Sequence, residues 1–225
     1  MRYFLIIFSV LLLSIPASCQ SNERNKKEEA KMQKEITPIQ VPAKDGYEFA
    51  YFASGCFWCV EAIYESVKGV KESISGYSGG HTENPTYEAS NTGLTGHAEA
   101  VEIIYDPNVV SFSTLVDVYF GSQNITQVNG QGPDRGSQYR SIIFYQNAAQ
   151  KKIIDTKIAE IEKEIGKGKV AAQVLPFQKF WLGEDYHQDY EKKHPDHPYI
   201  QRISIPRLNR FKYKFPNLLK TERGH

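Results

Sequence analysis

The amino-acid pattern predicts an α+β fold in which a central mixed sheet and its flanking helices pack in two layers. Three observations predict it. Strand-like and helix-like segments alternate from Tyr47 onward, the strand-like runs are short, and they are bounded by residues that favour turns. In the longest helical stretch Ile154, Ile158, Ile161 and Ile165 recur at alternating steps of four and three, which lines up one apolar face suited to lying on a sheet.

The first strand is expected over Tyr47 to Ala53, ending in Ser54-Gly55. A helical pattern follows through Ile63 and Val67, and Gly69 closes it. Val70 to Tyr77 has strand character, Ser78 to Gly96 forms a long loop rich in Gly, Asn and Thr, and Ala98 to Tyr105 is a strand stopped by Asp106-Pro107. Loops of that length are often functional. A helix over Phe112 to Phe120 leads through a second glycine-rich loop, Gly121 to Gly136, into an apolar strand, Arg140 to Tyr145. Asn147 is placed to cap the isoleucine-striped helix, and Val170 to Leu175 is the last strand candidate. The segment after Gln201 receives no assignment.

A chain of 225 residues, 40% hydrophobic and 24% charged, is long enough for one substantial core, and residues 46–225 are expected to form a single domain. Twenty-seven basic against 26 acidic side chains leave a formal charge of +1, far from the basic field that nucleic-acid partners require. Residues 1–19 have the form of a targeting signal: Arg2 precedes an apolar run, Tyr3 to Ile15, broken only by Ser9 and Ser14. The run is shorter than the roughly 20 residues a membrane span needs, so the protein is expected to be exported to the periplasm or cell envelope. Pro16-Ala17-Ser18-Cys19 resembles the end of a bacterial lipoprotein signal, which implies acylation of Cys19 and a lipid anchor. Ordinary cleavage near Ala17 to Cys19, giving a soluble secreted protein, is the alternative. Residues 20–45 are rich in Lys, Glu, Asn and Gln and fit a flexible polar linker, too poor in apolar surface to offset chain entropy. An exposed helix over Glu23 to Glu35 is the other possibility.

Beyond Cys19 the only cysteines are Cys56 and Cys59, within Gly55-Cys56-Phe57-Trp58-Cys59. A bridge across two residues closes too small a loop to stabilise the fold by much. A closed zinc site needs four ligands, and the clustered partners, His187, His194 and His197, lack the usual spacing. Redox chemistry remains. Cys56 follows a strand and a glycine where a helix should begin, so unpaired amides and the positive end of the helix are expected to lower its pKa and make it the nucleophile. Cys59, one turn on, is placed to resolve the intermediate that Cys56 forms. The bare pair fits a thioredoxin-like disulfide oxidoreductase equally well, and a non-catalytic metal-binding surface lipoprotein is a third possibility.

Five ordered blocks narrow the choice: Gly55-Cys56-Phe57-Trp58; Asn84-Pro85-Thr86-Tyr87; Gly96-His97-Ala98-Glu99-Ala100-Val101; Gln131 to Ser141, which contains Pro133-Asp134-Arg135-Gly136 and Gln138-Tyr139-Arg140; and Glu184-Asp185-Tyr186-His187-Gln188-Asp189-Tyr190. Together, over roughly Tyr47 to Ile200, they resemble the peptide methionine sulfoxide reductases of the A type. The resemblance implies a two-layer, ferredoxin-like plait and thiol-dependent reduction of methionine S-sulfoxide, free or in oxidised proteins. It implies no bound cofactor or metal, only an external thiol reductant such as a thioredoxin-like protein or dithiothreitol. A monomer is expected.

A sulfoxide sulfur is open to attack only when its oxygen is protonated or strongly hydrogen-bonded, so the site needs a nucleophile, a proton donor and an apolar slot. Cys56 is the nucleophile, and Phe57 and Trp58 match the family's aromatic pair around the substrate methyl group. Glu99 matches the family's acid. Strand alternation puts it on one face with Val101, Ile103 and Tyr105, where poor solvation would raise its pKa, while Glu102 on the other face is expected to be a solvated charge. Tyr87 and Tyr139 match two tyrosines that bind the sulfoxide oxygen, and Asp134 matches an aspartate near the site. His187 is expected to be a structural hydrogen-bonding residue. The chain departs from a common family pattern in having Cys59 where many members have glycine and in lacking tail cysteines, which leaves Cys59 as the only resolving thiol available; direct reduction of the sulfenic acid by an external thiol is the alternative.

Overall fold

The computed structural model describes residues 36–221. The leader over 1–19 with Cys19, and the linker as far as residue 35, lie outside the described residues.

Along the chain the elements are β1 (Glu48–Ser54), α1 (Phe57–Glu65), β2 (Val70–Ser78), α2 (Tyr87–Asn91), β3 (Ala98–Tyr105) and α3 (Phe112–Gly121). A two-stranded ribbon of β4 (Gly130–Gln131) and β5 (Asp134–Arg135) precedes β6 (Ser141–Tyr145) and α4 (Ala148–Ile165). Then come β7 (Gln173–Pro176), β8 (Phe180–Leu182), α5 (Tyr190–Lys193) and α6 (Ile205–Lys214). The main sheet runs β7-β6-β1-β3-β2-β8. Its pairs are antiparallel except β6 with β7, which is parallel, so the sheet is mixed as expected. The core strands β6-β1-β3-β2, with α1 and α3 as crossovers, reproduce the split βαβ arrangement of a ferredoxin-like plait.

The two faces of the sheet are covered differently. Ala50, Phe52, Val101, Ile103 and Tyr105 point to one side and meet Val60, Ile63, Leu115, Tyr119, Ile154 and Phe211 from four helices. Tyr51, Ala53, Ala98, Ala100, Ile142 and Phe144 point to the other, where Phe177, Phe180 and Val41 cover them. Period-two alternation along each strand thus builds both layers. Helix starts are fixed locally: Ser111 Oγ accepts from Thr114 N–H at 3.1 Å and Asn147 Oδ1 from Gln150 N–H at 2.9 Å.

Several expectations need correction. Residues 37–45, assigned to the linker, are tied to the domain: Ile39 N–H donates to the Phe177 carbonyl at 2.8 Å and Val41 N–H to Gln146 Oε1 at 2.7 Å. Polar composition hid this, because the anchoring bonds come from the backbone. Both long loops carry short structure, α2 in one and the β4–β5 ribbon in the other. The edge strand β8 is too short to have shown a period. Glu102 is not a free surface charge but accepts from Tyr51 Oη at 2.7 Å, and burial raises its pKa. The unassigned tail becomes a π-helical turn, Ile200–Ser204, running into α6, whose Phe211 is only 1% exposed.

Candidate active site

The site begins at the end of β1. Gly55 adopts φ +84°, and a Cβ there would lie 2.4 Å from Gln131 Cβ, so a side chain at this position is excluded both by backbone conformation and by space. This turn delivers Cys56 to the N-cap position of α1. The Cys56 side chain makes no capping bond. Instead the first helical amide, Phe57 N–H, donates to Glu99 Oε2 at 3.0 Å, so a residue of β3 caps the helix that carries the nucleophile.

Glu99 is 2% exposed. Burial pushes its pKa up to about 8, against the opposing pull of the Phe57 amide, with the nearby Asp134 and Cys59 charges adding to the rise. At neutral pH it is predominantly a carboxylic acid, able to donate a proton beside Cys56.

The thiol pair departs from expectation. Cys56 is 6% exposed and Cys59 2%. Burial pushes the Cys56 thiol up, and its hydrogen bond to Cys59 and the charge of Glu99 work in the same direction. The lowered pKa expected from the helix end is therefore not found: burial outweighs it. Cys59 moves the other way, to about 7, because it accepts from Cys56 and faces the Arg207 guanidinium, which together overcome its own burial. The two thiols interact directly, and Cys59 is the more acidic of the pair.

Tyr87 starts α2, where Thr86 caps the turn by accepting from Ala89 N–H at 3.2 Å. Tyr139 closes a 3-10 turn, Ser137–Tyr139. Both hydroxyls interact with the charges of Glu99 and Cys56. Burial raises both phenols, so they remain protonated donors. Phe57, 1% exposed, forms the floor of the site, with its ring 6.3 Å from Tyr87 at 22°. Trp58 is half-buried, stacked on Tyr190 at 3.7 Å and 6°.

His187 is fully buried, and its Nδ1 accepts from Trp58 Nε1 at 3.1 Å, which puts the neutral ring's proton on Nε2. Glu184 approaches that nitrogen at 3.8 Å, but burial lowers the His187 pKa, so the pair is not ionic. His187 thus ties Trp58 to the segment that follows Glu184. Glu184 accepts from the Tyr87 amide at 2.8 Å and Tyr77 Oη at 2.7 Å, which fixes α2 over the site.

Asp134, on the ribbon, accepts from Tyr199 Oη at 2.6 Å, and that same hydroxyl lies 3.8 Å from Cys59 Sγ. Tyr199 and Arg207 escaped detection in the sequence. A tyrosine among 14 carries no signal of its own, and Arg207 belongs to the unassigned tail. Arg207 donates to the Ser54 carbonyl at 3.0 Å and to Ser54 Oγ at 3.2 Å, fastening α6 to the strand end before Cys56. Among the described residues, the one grouping with metal-binding geometry is Glu61, Glu65 and Asp189, which contains neither cysteine nor any of the clustered histidines.

A buried dithiol at a helix start, faced by a protonated carboxyl and two phenols, defines a thiol-based oxidoreductase acting on an oxygen-bearing substrate. The family model for peptide methionine sulfoxide reductase matches residues 48–218, and the chain belongs to that family. It is 45% identical over 177 residues to the peptide methionine sulfoxide reductase MsrA of Saccharolobus solfataricus, covering 79% of this chain and 99% of the relative. Identity to the MsrA of Pasteurella multocida is 45% over 171 residues, with 76% and 98% covered. Among solved structures, methionine sulfoxide reductase A of Corynebacterium diphtheriae superposes with a TM-score of 0.61 at 30% identity, covering 72% of this chain and 83% of that one. The reduced form of Mxr1 from Saccharomyces cerevisiae gives 0.62 at 30%, covering 69% and 91%. The protein is a methionine sulfoxide reductase.

Proposed function

We propose that the protein reduces the S epimer of methionine sulfoxide, free or within oxidised proteins, in a cycle confined to Cys56 and Cys59. As substrate enters, Cys59 takes the Cys56 proton. The Cys56 thiolate attacks the sulfoxide sulfur while Glu99 gives its proton to the oxygen, which Tyr87 and Tyr139 hold by hydrogen bonds. The oxygen then passes from the substrate sulfur to Cys56 as the newly formed sulfur–sulfur bond breaks, releasing methionine and leaving Cys56 as a sulfenic acid. The Cys59 thiol then displaces it as water, closing a Cys56–Cys59 disulfide. An external thiol, a thioredoxin-like protein or dithiothreitol, supplies the two electrons that reopen the bridge. Phe57 and Trp58 receive the methyl group, and Asp134 holds Tyr199 beside the resolving thiol.

The observation that carries this proposal is the Glu99 carboxyl bonded to the amide directly after Cys56 and held protonated near neutrality. A disulfide oxidoreductase or a metal-binding lipoprotein leaves Tyr87 and Tyr139, which face the same carboxyl and Cys56, without a task. The test is turnover of both epimers with dithiothreitol by the parent and by Cys56→Ser, Cys59→Ser and Glu99→Gln. Only the S epimer is expected to react, and Cys56→Ser is expected to be inactive. Turnover of the R epimer alone, or full activity without the Cys56 thiol, contradicts it.

Export by the leader, acylation at Cys19 and action as a monomer complete the proposal, on the strength of the apolar run Tyr3 to Ile15 and its ending. Membrane fractionation of parent and Cys19→Ala checks the anchor, and sedimentation checks the monomer.

A further inference from the structure

A cavity of about 560 Å³ opens beside Cys59. Its lining includes none of Cys56, Phe57, Trp58, Tyr87, Glu99 or Tyr139, so it approaches the thiol pair from the resolving side and is separate from the groups that hold the sulfoxide. Its walls are cationic: Arg202, Arg207, Arg210 and Lys214 all line it. None of these four cations forms an ion pair among the described residues. Arg207 is 8% exposed and spends its donors on neutral groups, the Ser54 carbonyl and hydroxyl and the Ser122 carbonyl. The negative charge it faces is the Cys59 thiolate; closing the disulfide removes that charge and leaves a guanidinium far from water without it, which is costly. The acid in the lining, Asp134, is already engaged by Tyr199. The volume falls within the range of small-molecule sites.

We propose that this cavity binds an anionic low-molecular-weight thiol, one bearing carboxylate groups, and delivers it to Cys59. The proposal rests on the Cys56–Cys59 disulfide of the cycle above and adds a small-molecule route to its reduction beside the thioredoxin-like protein. The thiolate attacks Cys59 Sγ, the sulfur that the cavity reaches, forming a mixed disulfide as the Cys56 thiolate leaves and takes up a proton. A second thiolate attacks the reductant sulfur of that mixed disulfide, and Cys59 leaves as thiolate. Two thiols are oxidised to one small disulfide, and one protein disulfide is reduced. The carboxylates meet Arg202, Arg210 and Lys214, which are exposed at the mouth, while Arg207 lies deeper, against the sulfur.

The test starts from protein oxidised with one equivalent of methionine sulfoxide, its Cys56–Cys59 bridge verified by intact mass. Reduction is timed with mercaptosuccinate, mercaptoethanol and cysteamine, each rate divided by that thiol's rate with a small neutral disulfide. Mercaptosuccinate is expected to be at least about tenfold faster than mercaptoethanol on this scale and to saturate, with cysteamine slowest, and the advantage should shrink with added salt. The double variant Arg202→Glu/Arg210→Glu should lose the advantage and keep its dithiothreitol-supported turnover of sulfoxide. Equal normalised rates, or an advantage untouched in the double variant, overturn the proposal. A loss confined to reduction by a thioredoxin, with small thiols undiscriminated, also overturns it and makes the cavity a protein-docking face. If methionine is released and no bridge forms, the resolving role of Cys59 fails and this route fails with it, an outcome visible before any thiol is added.

Discussion

Glu99 sits between two opposed influences, burial that favours its neutral form and the Phe57 amide that favours its charge. Because burial prevails and the pKa is about 8, the proton donor is present below that pH and disappears above it. The chemical step is therefore expected to slow as pH rises through about 8. In Glu99→Gln the limb should vanish and kcat should fall about 10²- to 10³-fold, as steady-state profiles of the two proteins will show. The same shift has a stability consequence of definite sign. Unfolded Glu99 loses its proton near 4.5 and folded Glu99 near 8, so between those values the folded state binds more protons and stability falls as pH rises. Glu99→Gln is expected to unfold at a higher temperature than the parent at pH 9, by an amount corresponding to a few kcal/mol, with the gap closing toward pH 4. Cys59→Ser removes both the base that activates Cys56 and the resolving thiol: rapid-quench kinetics should show one methionine released per Cys56, more slowly than in the parent, then a still slower phase limited by direct reduction of the sulfenic acid.

The element that sets the geometry is the β1–α1 turn. Gly55 at φ +84°, with Gln131 Cβ 2.4 Å from any added methyl group, leaves Gly55→Ala no unstrained solution. Urea unfolding is expected to show a loss of about 2 kcal/mol or more, with kcat falling alongside because Cys56 moves off the helix cap. The strands and long helices around this turn were legible in the sequence for a simple reason. Alternation in Ala98 to Tyr105 and the isoleucine stripe of Ala148–Ile165 reflect burial on one continuous surface. The same periodicity put Glu99 on the helix-covered face with Val101. Short elements were not legible: α2 holds Tyr87 through the remote carboxylate of Glu184, and no local pattern announces a bond between residues so far apart in the chain.

For the molecule as a whole, the C-terminal segment is what the sequence concealed. Its polar, Arg- and Lys-rich surface disguises Phe211, which enters the core, and Arg207, which grips Ser54. Phe211→Ala is expected to cost about 3–5 kcal/mol in equilibrium unfolding and to weaken the anchoring of the strand end that precedes Cys56. The motifs named most of the candidate site, and the structure gathers Cys56, Cys59, Glu99, Tyr87, Tyr139 and Asp134 within mutual electrostatic reach. They gave no hint of where charge rests in the thiol pair, since that depends on burial and on an arginine far along the chain.

Trp58 lies flat on Tyr190 while its indole N–H is held by His187. The chain has two tryptophans, and the other, Trp181, lies beneath the Lys179 ammonium at 3.6 Å. Replacing Trp181 with Phe would leave a single emitter adjoining the reactive sulfurs. Light from that indole would then follow sulfoxide arrival and bridge closure in real time, with no dye attached.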